Sequence, residues 1–486
     1  MDRHNVLFIL VDQWPALSFG HRGSSISTPN TDRLAAQGTV FANAFTSCPL
    51  CSPARAALLT ARWPHQTGVY DNVGVGYSLQ QPLPPDEVTW IDGAVGAGRH
   101  VGYFGKWHLG ADGPILRGAH RRSEAFEKQS KPYDPATSRY SYASQVERYR
   151  ERRKQLVDGN PPFWGILDVP KEQTAPFRLA ANAEEFLAEY ATRGTDCPFF
   201  LTVSMGPPHF PHYLPREYAA MANADAVELP VSLGDAFQGK PEFHAAPWWP
   251  SMDTSALDEA EWRTIVAFSQ LHITLVDEAI GRILQAIEAH GLRDNTTVVF
   301  AADHGDMCGA HNRFDKGPYF YDEVWRIPLI VRVPGTAPAW QDAFVSIPDL
   351  GEMLCRWVDA PERPDKPRQG RDLTPLVGTS DRPEGWARET FGVYDLYNGM
   401  SFAIRAIRSE THKYVWNPQA VDELYDLRQD PQEMVNLAGR PELARTEAEL
   451  KKRLFEWMND IGDDLPHRAG DLPPAGTIIA ANRMGP

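Results

Sequence analysis

The sequence predicts an α/β protein: a large mixed but mostly parallel sheet flanked by helices, then a small C-terminal α+β domain with an antiparallel sheet. Three observations carry this. Residues 5–11 (NVLFILV) form a continuous apolar run, not an alternating one, and 199–205 (FFLTVSM) and 296–302 (TTVVFAA) read as further strands. The first is the pattern of a strand covered on both faces. Helical patterns lie between these segments, the order that builds parallel sheets. After about Asp381 the texture changes to a hairpin pattern and one amphipathic helix.

The elements follow in order. Residues 29–37 begin with proline and stop before Gly38, a short helix. Residues 100–104 and 328–333 (PLIVRV) read as further strands. The longest helical pattern is 256–290, with Ile265, Phe268, Leu271, Leu275, Ile280, Ile283, Leu284 and Ile287 at three-to-four spacing. Residues 401–408 and 413–417 flank a polar turn as a hairpin, and 442–459 is an amphipathic helix. Residues 111–175 read as irregular and polar, with a basic run at 148–154 (RYRERRK). That run is read as a solvated helix face, the sharper alternative being a lid or interface insertion. The Pro/Gly-rich end, 470–486, is expected to lie over the surface. No internal repeat is evident. The expected division is a large domain over 1–380 and a small one over 381–486.

Bulk properties narrow the function. A chain of 486 residues is too long for one core. With 42% hydrophobic and 23% charged residues the composition is that of a globular protein. No apolar run is long enough to span a membrane. The N-terminus enters a strand pattern and lacks a small-residue cleavage site, so a cytoplasmic location is expected. Net charge −15 argues against general binding to nucleic acid or an anionic membrane. Cys48, Cys51, Cys197, Cys308 and Cys355 are odd in number and scattered, which is not a disulfide framework.

Two carboxylate-bearing segments stand just past strand patterns: Asp12-Gln13 after the first, and Asp303-His304-Gly305-Asp306 after 296–302. In open α/β sheets that edge binds ligands. Two carboxylates, an amide and an imidazole suit a divalent cation, hard oxygens favouring Ca²⁺ or Mg²⁺ and the imidazole admitting Mn²⁺ or Zn²⁺. The plain alternative is that both aspartates only cap turns.

The stretch CSPAR, residues 51–55, is the second signal. Pro53 fits a first helical position, which puts Cys51 at or before the N-cap and Arg55 on the same face. A group at 51 then faces a helix N-terminus and a guanidinium, an anion-binding position. It could hold a reacting anion or be made nucleophilic. A zinc site lacks further CxxC ligands. A redox pair with Cys48 and a buried structural thiol stay open. A cysteine phosphatase needs Cys-x5-Arg, and neither cysteine stands at that spacing from Arg55.

LCSPARAALLT, residues 50–60, resembles the signature of type I sulfatases, C-x-P-x-R with a downstream threonine. NVLFILVDQ, GKWHLG (105–110), PPHFPH (207–212), ADHGDMCGAHNRFDKGPYFYDE (302–323) and DELYDLRQDPQEMVNLA (422–438) resemble further family segments in the family's order. The resemblance implies an alkaline-phosphatase-like fold and a sulfuric-ester hydrolase acting on aryl or small alkyl sulfates. It implies that Cys51 is oxidised to formylglycine (3-oxoalanine) by a formylglycine-generating enzyme, its hydrate supplying the nucleophile. It implies that Asp12, Gln13, Asp303 and His304, with position 51, hold one divalent metal, Ca²⁺ first and Mn²⁺ as the alternative. Lys316 and His209 would bind the anion and assist the leaving group, Lys106 and Arg55 would orient the hydrate, and His108 would take its remaining proton. Asn72 and His311 would touch substrate. Family relatives often assemble, so a homo-oligomer is the expected self-association. Two departures stand out. Ala61 replaces the usual glycine. The pairs Asp12-Gln13 and Asp303-His304 resemble the choline sulfatase and phosphonate monoester hydrolase branches, which makes phosphonate monoester or phosphodiester hydrolysis the alternative. A binding protein without catalysis, or a thiol-disulfide oxidoreductase, would instead keep a thiol at 51.

Overall fold

The computed structural model describes residues 4–75, 78–110, 113–119, 122–123, 156–160, 163–193, 197–247 and 253–479. Its strands, along the chain, are β1 (Asn5–Asp12), β2 (Thr39–Phe45), β3 (His100–Gly105), β4 (Arg122–Ser123), β5 (Asp158–Asn160), β6 (Trp164–Leu167), β7 (Phe199–Pro208) and β8 (His212–Pro215). They continue with β9 (Thr296–Ala302), β10 (Leu329–Arg332), β11 (Ala339–Ser346), β12 (Glu389–Tyr397), β13 (Met400–Ser409), β14 (His412–Trp416) and β15 (Glu423–Asp426). The helices that matter below are α1 (Pro29–Ala35), α2 (Cys51–Thr60), α3 (Ala175–Thr192), α4 (Glu259–Ala289), α5 (Ile347–Trp357) and α6 (Ala444–Asp460).

One sheet holds eight strands in the order β11-β2-β10-β9-β1-β7-β3-β4. β1 lies between β7 and β9 and is parallel to both. Every residue of β1 is buried, as its unbroken apolar run requires. β10 pairs antiparallel with β9 and with β2, so the sheet is mixed but mostly parallel. The register places Val11 opposite Ala302 and Asp12 opposite Pro208. β3 continues the layer, Gly105 opposite Ser204. Four parallel strands therefore end at one edge, and the residues that follow each end meet there.

Helices pin that edge. α4 starts at a true cap, the Asp258 side chain accepting from Glu261 N. Its Asp277 accepts from the N–H groups of Asn30 (3.0 Å) and Thr31 (2.8 Å), tying down the start of α1. α2 is buried along its whole length and packs on α5. The approach is close: a Cβ added at Gly351 would lie 2.5 Å from the Leu58 carbonyl oxygen.

β12 to β15 form a four-stranded antiparallel sheet. α6 covers it, Leu450, Leu454 and Met458 meeting Ile407 and Tyr414. A second core joins this sheet to the large one, with Phe45, Leu50, Trp325 and Phe344 against Tyr394, Phe402 and Ile404. The chain end lies over the small sheet, Ser401 N donating to Thr477 O.

The structure adds to the expected elements. β2, β11, α3, α5, β12 and β15 were not foreseen, nor was the three-stranded sheet β5-β6-β8. That sheet corrects the irregular reading of 111–175, since β6 pairs in parallel with β8 there. The basic run 148–154 lies outside the described residues. No described helix is long and apolar enough to cross a membrane.

Candidate active site

The site is built from strand ends and one helix start. β1 ends in Asp12, and Gln13 follows in a left-handed conformation (φ 62°). That turn sends the Gln13 N–H to Asp303 Oδ1 at 3.2 Å, joining the two carboxylate loops. β9 delivers Asp303 and His304, β7 delivers His209, and β3 delivers Lys106 and His108. His108 also takes a left-handed backbone (φ 62°), a strain that such sites commonly hold.

α2 begins at Cys51 with Leu50 as its extended N-cap. The start lies one or two residues earlier than the Pro53 rule places it. The reason is that Pro53 still falls among the first N–H positions, which have no helical partner to lose. The Asn72 side chain accepts from Ser52 N at 3.0 Å, and Ser52 Oγ donates to the His108 carbonyl at 2.6 Å. The helix start and the His108 loop are thus one unit, with Asn72 at its base.

Asp12, Cys51, Asp303 and His304 are all buried, and each offers a ligand atom within 4.8 Å of the others. Cys51 Sγ lies 3.2 Å from His304 Nε2 and 3.6 Å from Asp12 Oδ1. His304 Nε2 is also 3.4 Å from Asp12 Oδ1 and 3.8 Å from Asp303 Oδ1. His304 Nδ1 sits 2.8 Å from the Gly305 carbonyl, so it carries the proton and leaves a lone pair on Nε2 among the carboxylates. That fixed tautomer with two buried carboxylates is a donor set for a divalent cation. The Gln13 side-chain oxygen, expected among the donors, accepts from Lys316 Nζ at 3.0 Å.

Three cations surround the donors. Arg55 Nε donates to Asp303 Oδ2 at 2.7 Å, and its Nη1 reaches the Lys106 carbonyl and Ser204 Oγ, each at 2.9 Å. Lys106 Nζ is paired with Asp12. Lys316 Nζ reaches Asp315 Oδ1 at 2.8 Å and His209 Nε2 at 3.0 Å. His209 Nδ1 lies 2.7 Å from the Phe210 carbonyl, so Nε2 is its acceptor nitrogen. Burial alone would raise the Asp12 carboxyl, but Lys106, His209, Arg55 and His304 hold it well below the usual range. Burial, then Lys106 and Arg55, pushes the His108 imidazole well below its ordinary value, so it stands neutral. Burial and then Lys316 do the same to His209. Burial opposes the charge of Lys316, yet the Asp315 and Asp12 carboxylates keep it raised.

The structure thus brings together Asp12, Gln13, Cys51, Arg55, Lys106, His108, His209, Asp303, His304 and Lys316, with Asn72 behind the helix start. It places His311 elsewhere. The His311 ring stacks on Tyr321 at 3.7 Å and bonds Asp235 at 2.7 Å, inside the core between the sheets. Asp235 takes its Nδ1 while the buried Nε2 has no partner, so His311 is engaged with Asp235 and Tyr321 rather than with the donor set around Asp12. Sequence reasoning missed Ser204 and Asp315. Ser204 is one of two hydroxyls, with Thr202, in a largely apolar run, and Asp315 directly precedes the lysine it neutralises. Cys48 is buried against the second core, its thiol pushed up first by burial. No cysteine is disulfide-bonded among the described residues. Phe243 packs edge-on against Phe402.

Known proteins match this chain closely. A family model described as sulfatase matches residues 4–360, and one described as N-sulphoglucosamine sulphohydrolase, C-terminal, matches 309–460. An ulvan-active sulfatase of Formosa agariphila is 29% identical over 99% of this chain and 86% of its own. An uncharacterized sulfatase of Escherichia coli K12 is 30% identical over 98% of this chain and 91% of its own. The crystal structure of a phosphonate monoester hydrolase of Agrobacterium radiobacter superposes with TM-score 0.76 at 24% identity, covering 94% of this chain and 96% of that one. This last likeness is one of fold.

Proposed function

The chain belongs to the sulfatase family and is a sulfuric ester hydrolase; from that premise we propose that it cleaves sulfate monoesters of small alkyl, aryl or sugar alcohols, with formylglycine at position 51 in the reacting position. One observation carries the proposal. The Cys51 side chain lies at a helix start, 3.2 Å from His304 Nε2, with Arg55, Lys106 and Lys316 around the same donors. A structural thiol needs none of these neighbours.

Asp12, Gln13, Asp303 and His304, with position 51, would hold a divalent cation, Ca²⁺ first by the hardness of the carboxylates and Mn²⁺ as the alternative. Bound there, it supplies Lewis-acid polarisation of sulfuryl oxygens. The remaining roles belong to the chain. Arg55 holds Asp303 and, with Lys106, sets positive charge where the sulfate anion enters. Lys316 holds a proton at Nζ beside His209 Nε2, and this pair faces the departing alcohol oxygen. Neutral His108 accepts the proton that lets sulfate leave position 51. A sugar as the sulfate-bearing group is supported by the description of the matched C-terminal model, which names a glucosamine.

One second reading has its own observation. Asp-Gln and Asp-His at the two strand ends favour phosphonate monoester or phosphodiester hydrolysis at the same centre, and a relative named multifunctional alkaline phosphatase superfamily protein is 27% identical over 95% of this chain. Both readings share position 51, so the first test addresses it. Trypsin releases peptide 34–55. With the formylglycine-generating enzyme co-expressed, its mass is expected to show loss of hydrogen sulfide and gain of one oxygen at Cys51. A thiol that persists under that condition contradicts the proposal.

A further inference from the structure

A second group of donors stands outside the set just described. His212 on β8 is fully buried. Its Nδ1 lies 3.3 Å from Nδ1 of His272 on α4, also buried, and its Nε2 has no partner. Asp306, buried, and Cys308, half-buried, follow β9 in the loop that also carries Asp303 and His304. A His212 nitrogen, an Asp306 oxygen and the Cys308 sulfur lie within 4.8 Å of one another.

An orphaned imidazole nitrogen in a core is costly unless something binds it. Between two neutral histidines, one nitrogen must donate and the other accept. If His212 Nδ1 donates to His272, the lone pair of His212 is on the unpartnered Nε2. That is the tautomer of a metal-ligating histidine oriented by an outer partner. We propose that His212, Asp306 and Cys308 form a second cation site, selective for a thiophilic divalent ion of the Zn²⁺ class, that ties the loop after β9 to β8 and α4. Sulfur, nitrogen and one carboxylate oxygen are the donors Zn²⁺ takes, in contrast to the carboxylate-rich set around Asp12. Tetrahedral Zn²⁺ spaces its ligands by about 3.3–3.8 Å, so the donors need draw in by only about 1 Å. Binding is ligand exchange without redox change: the sulfur–metal bond forms and the thiol proton leaves to solvent. Burial pushes the Cys308 thiol up, with Asp306 adding to it, and a cation reverses both costs. The loop's own backbone helps to shape it, Met307 N donating to Asp315 O and Gly309 N to Arg313 O, each at 2.8 Å, and Ser232 and Thr254 bond its far side at His311 N and Asn312 O. It holds Cys308 in a left-handed conformation (φ 35°).

The test uses the full chain carrying Cys51→Ala, so that the thiol of the first centre cannot contribute. The protein is loaded with Co²⁺, desalted, and read by near-ultraviolet absorption and metal analysis. The expected result is a thiolate-to-cobalt charge-transfer band that disappears when Cys308→Ser or His212→Gln is added, with about one equivalent of metal lost. Zn²⁺ should raise the Tm of Cys51→Ala and leave that of Cys51→Ala/Cys308→Ser unmoved. Absence of the band and of the Zn²⁺ response in Cys51→Ala overturns the proposal, independent of how the second variants fold. So does a band that survives Cys308→Ser.

Discussion

Arg55 shows what one side chain must do here. Its Nε and Nη1 serve Asp303, the Lys106 carbonyl and Ser204 in three directions at once. A lysine has one charged nitrogen and no fork. Arg55→Lys is therefore expected to lower kcat/KM by about 10²-fold while the protein still folds; steady-state kinetics beside a melting curve check it, and unchanged kinetics contradict it. The two neighbouring cysteines separate just as sharply. Cys48 lies in an apolar core and Cys51 among the ionised groups. Cys48→Ser is expected to keep turnover within a few-fold and to cost about 1–3 kcal/mol of stability for a buried hydroxyl. Cys51→Ser should abolish turnover with the fold intact. A redox role would reverse that pattern for Cys48.

At the scale of elements, the contact of α2 with α5 decides how firmly the helix start is held. Gly351 meets the backbone of α2, its missing Cβ 2.5 Å from Leu58 O and 3.2 Å from Ala57 O. Alanine is the better helix former by about 1 kcal/mol, but backbone cannot step aside as a side chain can. Gly351→Ala is expected to lose about 1–3 kcal/mol net by overpacking, read as a lower urea midpoint at unchanged m-value. A rise in the midpoint would show that the helices can separate freely. The same scale explains what was legible beforehand. β1 announces itself as an unbroken apolar run and β7 and β9 as stretches rich in aromatic and β-branched residues, and parallel register then forces Asp12, Asp303 and His209 to one edge. β2 and β11 sit at the other end of the sheet and carry polar residues such as half-buried Asn43 and exposed Asp342, so no periodicity marks them. Lys316 reaches Gln13 across a loop whose path no spacing rule describes.

Across the whole molecule, buried ionisable groups bind the small sheet to the large one. Lys240 Nζ donates to the Glu433 carbonyl at 2.7 Å and to Tyr321 Oη at 3.2 Å, and His311 joins them through Asp235. Burial, with Lys240 adding to it and Asp235 opposing, lowers the His311 imidazole to about 4. The unfolded chain therefore takes up that proton near pH 6.5 and the folded one only near 4. Stability contributed by neutral His311 is full above pH 6.5 and is lost as pH falls toward 4. In His311→Gln this dependence is absent. The stability difference between wild type and variant should shift toward the variant by about 1.4 kcal/mol per pH unit over that window, measured by chemical denaturation. A difference constant with pH contradicts the assignment. His311 was read from its motif as a site residue because a loop motif does not say which way its side chain turns.

The most direct test of the central claim is a substrate comparison on protein whose peptide 34–55 carries the aldehyde. The kcat/KM for an aryl sulfate is set against that for an aryl phosphonate monoester with the same leaving group. The account predicts that sulfate is preferred by about tenfold or more, about 1.4 kcal/mol of transition-state binding. A preference of about tenfold or more for the phosphonate contradicts it and favours the phosphonate ester hydrolase reading.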